Sequence, residues 1–169
     1  MLPSAGRPWK TCLAAMYNTK GKYWLYFLFG LYAGVMLWLL LGRSSMDTGE
    51  DYWLQVSRNI SWQPLRTVRH QLGLLGSRQS WVARFAARNL AGNVVLFIPL
   101  GLMLGLVWPK LKGLWPTLAA CAGIIVSVEL TQLLTLRGVA DTDDLLLNLL
   151  GCALGCGLQK WLWAKRSNS

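Results

Sequence analysis

The chain has 169 residues, of which 54% are hydrophobic and 14% are charged. Charged residues make up roughly 25% of a typical soluble domain, so this composition argues against a disordered chain or a conventional soluble enzyme. The net charge is +10, but the basic residues are scattered between four long apolar runs. They indicate membrane topology and contacts with lipid headgroups, and no nucleic-acid partner is expected. We therefore expect an all-α, multi-pass membrane protein embedded in a lipid bilayer.

Four apolar runs are each long enough to cross the hydrocarbon core of a bilayer, which takes about 20 helical residues. The predicted spans are residues 23–42, 90–108, 114–136 and 145–164. We expect residues 1–22 to form a cytoplasmic N-terminal segment and residues 165–169 a C-terminal tail. Residues 23–164 would then be a single membrane domain.

The connection between the first two spans, residues 43–89, carries two amphipathic patterns. Leu65, Val68 and Leu72 recur at helical spacing, and Ser80 can cap a second short helix. Arginines flank the apolar residues in both patterns, which is typical of helices that lie on a membrane surface. An ordinary surface loop is the alternative interpretation.

The distribution of basic residues favours a topology with both termini in the cytoplasm. The segments on the side of the N-terminus hold nine of the 17 basic residues, and the other eight lie mostly in the long connection. The counts differ little, but the nine are in short segments, where the rule is most reliable.

Polar side chains within or beside three of the spans form the candidate ligand-binding site. Successive spans alternate in direction, so the start of span two, the end of span three and the start of span four meet at one membrane face. The residues at that face are Asn93, Glu129, Gln132, Arg137, Asp141, Asp144 and Asn148. Glu129 is also the candidate catalytic residue, because an intramembrane carboxylate is costly to bury and is a functional candidate by default.

Span four places Asp144, Asn148, Gly151 and Gly155 on one helical stripe. The glycines allow another helix to approach closely, which would hold polar groups of different spans together. A purely structural interpretation stays open, because buried amides often only tie membrane helices to one another. Arg137 and the acids that follow it would then form a solvated, self-neutralising loop.

Metal and cofactor signals are weak. The single histidine, His70, lies outside the apolar runs, and three of the four cysteines lie within them. We therefore predict no resident metal site, interpret the cysteines as small apolar residues and leave the cofactor open.

Taken in order, these residues resemble the VanZ-like family of small membrane proteins. Residues 93–101 read NVVLFIPLG, similar to the family's Asn-x-x-x-Phe-x-Pro-x-Gly. Residues 127–132 read SVELTQ, similar to Ser-x-x-Glu-x-x-Gln, and residues 137–151 follow Arg-x-x-x-Asp-x-x-Asp-x-x-x-Asn-x-x-Gly. One element departs from the family: its Asn-Leu-Ile-Pro-Phe stands here as SWQPL at residues 61–65. No role is therefore carried over to the long connection.

The resemblance implies a small helical domain in a bacterial cytoplasmic (inner) membrane. The family takes its name from a protein that confers antibiotic resistance by reducing susceptibility to teicoplanin. This antibiotic is a lipid-tailed glycopeptide that acts at the outer leaflet. The family has no established biochemical activity, so the resemblance names no reaction.

Two functional hypotheses follow. The first is a non-catalytic protein that modulates the cell envelope or binds an amphiphile, such as a lipid-linked wall intermediate or a lipoglycopeptide, at the outer face. Arg137 would then meet a phosphate or carboxylate. The second is a membrane enzyme acting on a lipid headgroup, with Glu129 as general acid or base and a divalent cation at Asp141 and Asp144. A small carrier and a structural subunit of a larger complex are further alternatives, and the oligomeric state stays open.

Overall fold

A computed structural model of the chain describes residues 19–42, 44–111 and 113–167. The α-helices are α1 (Thr19–Leu41), α2 (Tyr52–Arg58), α3 (Arg66–Leu75), α4 (Ser80–Val107), α5 (Leu114–Leu134) and α6 (Thr142–Ser167). Two short strands, β1 (Ile60–Ser61) and β2 (Ala140–Asp141), and a 3-10 turn at Pro109–Leu111 lie between the helices. The predicted cytoplasmic segment 1–22 and the end of the predicted tail lie largely outside the described residues.

Four of these helices, α1, α4, α5 and α6, are long and apolar enough to cross a membrane, which confirms the expected fold class. Helix α4 has 28 residues. At a rise of about 1.5 Å per residue it is about 42 Å long, whereas the hydrocarbon core is about 30 Å thick. Helix α4 is therefore longer than the hydrocarbon core is thick, and its first turns, which carry Arg84 and Arg88, are the part that suits the headgroup region.

The connection between α1 and α4 contains two helices, as predicted in number, but only one of them is a predicted helix. Helix α3 confirms the helix predicted from the leucine spacing, and the short helix α2 precedes it. The prediction of a separate short helix that begins at Ser80 is wrong, because residues 80–107 form one continuous helix. Neither proline nor glycine occurs between Ser80 and Ala91, so nothing in the sequence ends the helix before span two begins.

Helices α4 and α6 form the closest helix pair. A Cβ atom at Gly151 would lie 2.2 Å from the Val94 carbonyl oxygen, and one at Gly155 would lie 2.1 Å from the Ile98 carbonyl oxygen. These distances leave no room for a side chain, so the two backbones are in direct contact. This is the close approach that the glycine spacing of span four predicted.

The core surrounds this helix pair. Its buried members are Met36, Phe97, Leu100, Leu104, Cys121, Ile125 and Cys152. The cysteines among them are free thiols, and they fill space as small apolar residues. The core therefore draws on all four spans.

Helix α1 lies at the periphery of the bundle. Only 6% of its membrane window is buried, compared with 28–33% in the other three spans. Within the bundle, the Tyr32 hydroxyl of α1 donates to the Leu96 carbonyl oxygen of α4 at 2.7 Å. A Cβ atom at either glycine of its pair, Gly30 or Gly34, would meet nothing within 4 Å, so these glycines serve no close helix contact within the described chain.

The long connection folds back onto the loop between α5 and α6. Strands β1 and β2 pair in parallel, with Ile60 beside Ala140. The Met46 N–H donates to the Leu136 carbonyl oxygen at 2.6 Å. These bonds attach the connection to the face where α5 ends and α6 begins.

A hydrogen-bonded loop joins α1 to α2. One carboxylate oxygen of Asp47 accepts from the Gly49 N–H at 2.9 Å and from the buried Gln55 amide at 3.0 Å. Both hydrogen bonds lower the pKa of the Asp47 carboxyl below its usual value, and the bond from Gly49 has the larger effect. The loop is thus ordered by its own polar groups.

The contact of α4 with α6 gives a stability prediction. Gly155→Ala is expected to lower the free energy of unfolding by about 1–3 kcal/mol, because the new methyl group meets backbone that must shift. The matched control is Gly157→Ala, two residues away on α6, where a Cβ meets nothing within 4 Å. The control should be neutral or slightly stabilising, since alanine favours helix over glycine. Unfolding of both variants in detergent measures the difference, and equal stabilities would contradict the prediction.

Candidate functional site

A polar pocket of about 160 Å³ lies between α3, α4 and α6. Helix α3 contributes two of its lining residues, α4 contributes three, and α6 contributes two. The lining residues are Thr67, Gln71, Asn89, Leu90, Asn93, Asp144 and Leu147. Residues three or four apart share one face of a helix, so each helix turns a single face to the pocket.

The pocket lies at the edge of the membrane. About 20 residues span the hydrocarbon core, and counting back that far from Val107 at the end of α4 leads to Arg88. Asn89 then lies near the hydrocarbon boundary, and Asn93 lies one turn deeper. On this count the pocket would run from the headgroup level into the hydrocarbon region.

A hydrogen bond between α4 and α6 forms part of the pocket wall. The side-chain amide of Asn93 donates to a carboxylate oxygen of Asp144. The bond joins residues 51 positions apart in the sequence. It brings together two of the residues that the sequence assigned to the site.

Gln71 is a pocket residue that sequence reasoning missed. Its Oε1 atom is buried and has no hydrogen-bond partner in the described part of the chain. Leaving a buried acceptor unsatisfied costs about 1–3 kcal/mol, so a donor from a ligand would be favoured there. The available signal was the spacing of Thr67 and Gln71, which puts two polar side chains on one face of the predicted helix.

Two carboxylates, one in β2 and one in the first turn of α6, hold α3 in place. Asp143 is fully buried, and it accepts from the backbone N–H groups of Leu65 and of Val68, the latter at 2.9 Å. Asp141 accepts from the Thr67 hydroxyl at 2.5 Å. Asp143 was not among the predicted site residues, but it caps α3 by accepting from Leu65, which lies 78 positions earlier in the chain.

The backbone at the start of α3 explains why this cap comes from a distance. Leu65 has a φ of 64°, and it provides no side-chain cap for the helix. The first N–H groups of a helix have no partner within the helix, so the Asp143 carboxylate satisfies two of them.

Gln132 and Arg137 act at a different place, the end of α1. The Gln132 amide donates to the Leu40 carbonyl oxygen at 2.7 Å, and the Arg137 guanidinium donates to the Leu41 carbonyl oxygen at 2.7 Å. The last carbonyls of a helix lack partners and carry partial negative charge, so an amide and a cation suit them. The structure thus favours a tying role for Gln132, and Arg137 reaches α1 instead of closing a self-neutralising loop.

Glu129 and Asn148 lie outside the pocket lining. Glu129 is half-buried on α5. Asn148 is buried on α6, and its Oδ1 atom has no hydrogen-bond partner among the described residues. Of the seven predicted residues, Asn93 and Asp144 line the pocket and Asp141 holds its wall, while the other four lie elsewhere on the same membrane face.

The carboxylates proposed for a divalent cation are already engaged by hydrogen-bond donors. Asp141 accepts from Thr67 and, at 2.9 Å, from the Asp143 N–H, and Asp144 accepts from Asn93. Within the described ranges, no three histidine, cysteine or acidic side chains are grouped so that they could hold a metal ion. The arrangement suits hydrogen bonding to a polar ligand better than coordination of a metal ion.

The cap on α3 gives a second prediction. Asp143→Ala leaves the partly buried N–H groups of Leu65 and Val68 without their acceptor, so α3 should lose about 1–3 kcal/mol of stability. Hydrogen exchange measured by mass spectrometry is expected to rise across α3. The control is Asp51→Ala, which removes the exposed cap of α2, where Asp51 accepts from the Leu54 N–H. In Asp51→Ala, hydrogen exchange should rise in α2 alone. If exchange across α3 is unchanged in Asp143→Ala, the buried carboxylate does not cap α3.

Comparison with known proteins gives one match. The family model described as VanZ/LLP1 matches residues 29–163, most of the chain, including the pocket. No curated protein and no solved structure matches the chain.

Proposed function

The chain belongs to the VanZ/LLP1 family, and on this premise we propose that it binds the polar head of an amphiphile in the pocket between α3, α4 and α6. Binding would modulate the bacterial cell envelope. The observation that carries the proposal is the Gln71 Oε1 atom, a buried acceptor at the pocket wall with no partner in the described chain. A ligand that donates a hydrogen bond to it would remove its desolvation cost.

The size and depth of the pocket support a headgroup as the ligand. A cavity needs about 10–15 Å³ to hold one water molecule. The pocket volume of about 160 Å³ therefore accommodates a group of several non-hydrogen atoms. It is too small for a whole lipid or a sugar chain. The pocket begins at the headgroup level, and Leu90 and Leu147 belong to its lining. An amphiphile would place its head in the pocket and its tail in the bilayer.

The proposed orientation puts this pocket at the outer face of a bacterial cytoplasmic membrane, with both termini in the cytoplasm. The turn between α4 and α5 would then lie inside, where its lysines satisfy the preference for basic residues in short cytoplasmic segments. At the outer leaflet, the pocket would meet a lipid-linked wall intermediate or a lipoglycopeptide such as teicoplanin.

The alternative, an enzyme that acts on a lipid headgroup, draws less support from the geometry. Its proposed acid or base, Glu129, is not among the residues that line the pocket. The acids of its proposed metal site, Asp141 and Asp144, hold α3 and α4 in place. We therefore propose binding, and not turnover, as the activity of this face.

Gln71→Met tests the proposal, because methionine retains much of the glutamine volume and lacks the amide oxygen. We expect wild type to lower the susceptibility of a glycopeptide-sensitive Gram-positive host to teicoplanin, but not to tail-less vancomycin. Gln71→Met should restore susceptibility. Its thermal stability should be equal or higher, since an unsatisfied buried acceptor is removed.

The matched control is Gln79→Met, the same change at an exposed glutamine outside the pocket lining. It should protect as wild type does, provided that membrane levels are matched by immunoblot. Protection that survives Gln71→Met, or an equal effect of wild type on both antibiotics, would count against a headgroup pocket as the functional site.

A further inference from the structure

The pocket groups whose hydrogen bonds are defined present acceptors to a ligand. Gln71 offers its unpartnered Oε1 atom. Asn93 uses an amide hydrogen on Asp144, so its carbonyl oxygen stays available to accept. Thr67 has a single hydroxyl hydrogen and uses it on Asp141, which leaves its oxygen lone pairs. These three acceptors favour a ligand that brings N–H or O–H donors.

The negative charge in the pocket indicates which kind of hydrogen-bond donor the ligand carries. Asp144 places a half-buried carboxylate among the lining residues, where water screens charge less than at the open surface. A primary ammonium carries three donors, no acceptor and a positive charge, so it matches both the acceptors and the carboxylate. A quaternary ammonium has the charge without the N–H donors, and a polyol has the donors without the charge.

Basic side chains stand next to the pocket residues on two of its helices. Arg66 immediately precedes Thr67 on α3, and Arg88 immediately precedes Asn89 on α4. Both arginines are exposed, and neither forms an ion pair within the described ranges. Arginine favours phosphate because its guanidinium can donate two parallel hydrogen bonds. An anion bound by these arginines would lie at the headgroup level, above the pocket.

We propose that the ligand head is zwitterionic, with a primary ammonium in the pocket and a phosphate on Arg66 and Arg88, as in an aminophospholipid of the bilayer. The ammonium donates to Gln71 and Asn93 and lies beside the Asp144 carboxylate. This inference rests on the proposed function, because it names the class of amphiphile that the same pocket takes.

A panel of three phospholipids with identical acyl chains tests the headgroup. Phosphatidylethanolamine has the phosphate and a primary ammonium, phosphatidylcholine has no N–H donor, and phosphatidylglycerol has no positive charge. Native mass spectrometry of the full chain in detergent measures the dissociation constant of each lipid. We expect phosphatidylethanolamine to bind about tenfold more tightly than either of the others, since charge-assisted hydrogen bonds are lost in both cases.

Two variants separate the ammonium site from the phosphate site. Asp144→Asn keeps an oxygen that can accept from Asn93 but removes the negative charge, so it should abolish the preference for phosphatidylethanolamine over phosphatidylcholine. Arg88→Gln should weaken the binding of all three lipids alike. Arg84→Gln, an exposed position one turn earlier on α4 and outside the pocket lining, is the matched control and should leave all three dissociation constants unchanged.

The outcomes distinguish this inference from the function on which it rests. Equal binding of phosphatidylethanolamine and phosphatidylcholine, with both weakened by Gln71→Met, overturns the ammonium assignment and leaves headgroup binding in place. Lipid binding that Gln71→Met does not change for any of the three overturns the headgroup pocket itself.

Discussion

The direct contact between the backbones of α4 and α6 is the constraint on which the rest of the structure depends. Gly151 and Gly155 bring α6 against carbonyl oxygens of α4, and Gly101 brings α4 against the backbone of α6. In lipid, association of helices depends on such packing, because the tails are as apolar as the side chains. Once these backbones touch, Asn93 and Asp144 are close enough to bond directly. The same contact therefore provides both the core of the bundle and one wall of the pocket.

A second constraint is the supply of partners for helix ends at the edge of the bilayer. The start of α3 receives the Asp143 carboxylate, and the end of α1 receives Gln132 and Arg137. Each of these partners comes from a remote part of the chain, because the local sequence provides none and unsatisfied backbone groups are costly near hydrocarbon. The polar residues at this face consequently divide into those that satisfy helix ends and those that line the pocket. This division is open to direct experiment, because the two groups of residues predict different phenotypes.

Much of this protein follows from its sequence. The four apolar runs determined the number of spans, since their lengths match the hydrocarbon thickness. The alternation of helix direction placed the predicted site residues at one membrane face, and the glycine spacing of span four predicted its close contact. The order of the motifs from Asn93 to Gly155 predicted the family, which the match over residues 29–163 confirms. All of these features depend on periodicity and order along the chain, which a sequence states directly.

The tertiary structure alone decided which polar residues form the pocket. Gln71 joins it, and Gln132 is used at the end of α1, because α3 docks against α4 and α6 through bonds that join residues 74 to 78 positions apart. No local pattern encodes such bonds. The separate short helix predicted from Ser80 was wrong, since an amphipathic start and an apolar continuation share one helical period and form one helix. The sequence by itself determined the membrane class, the shared face and the family, whereas the docking of α3 determined the site, because a pocket depends on distances between helices.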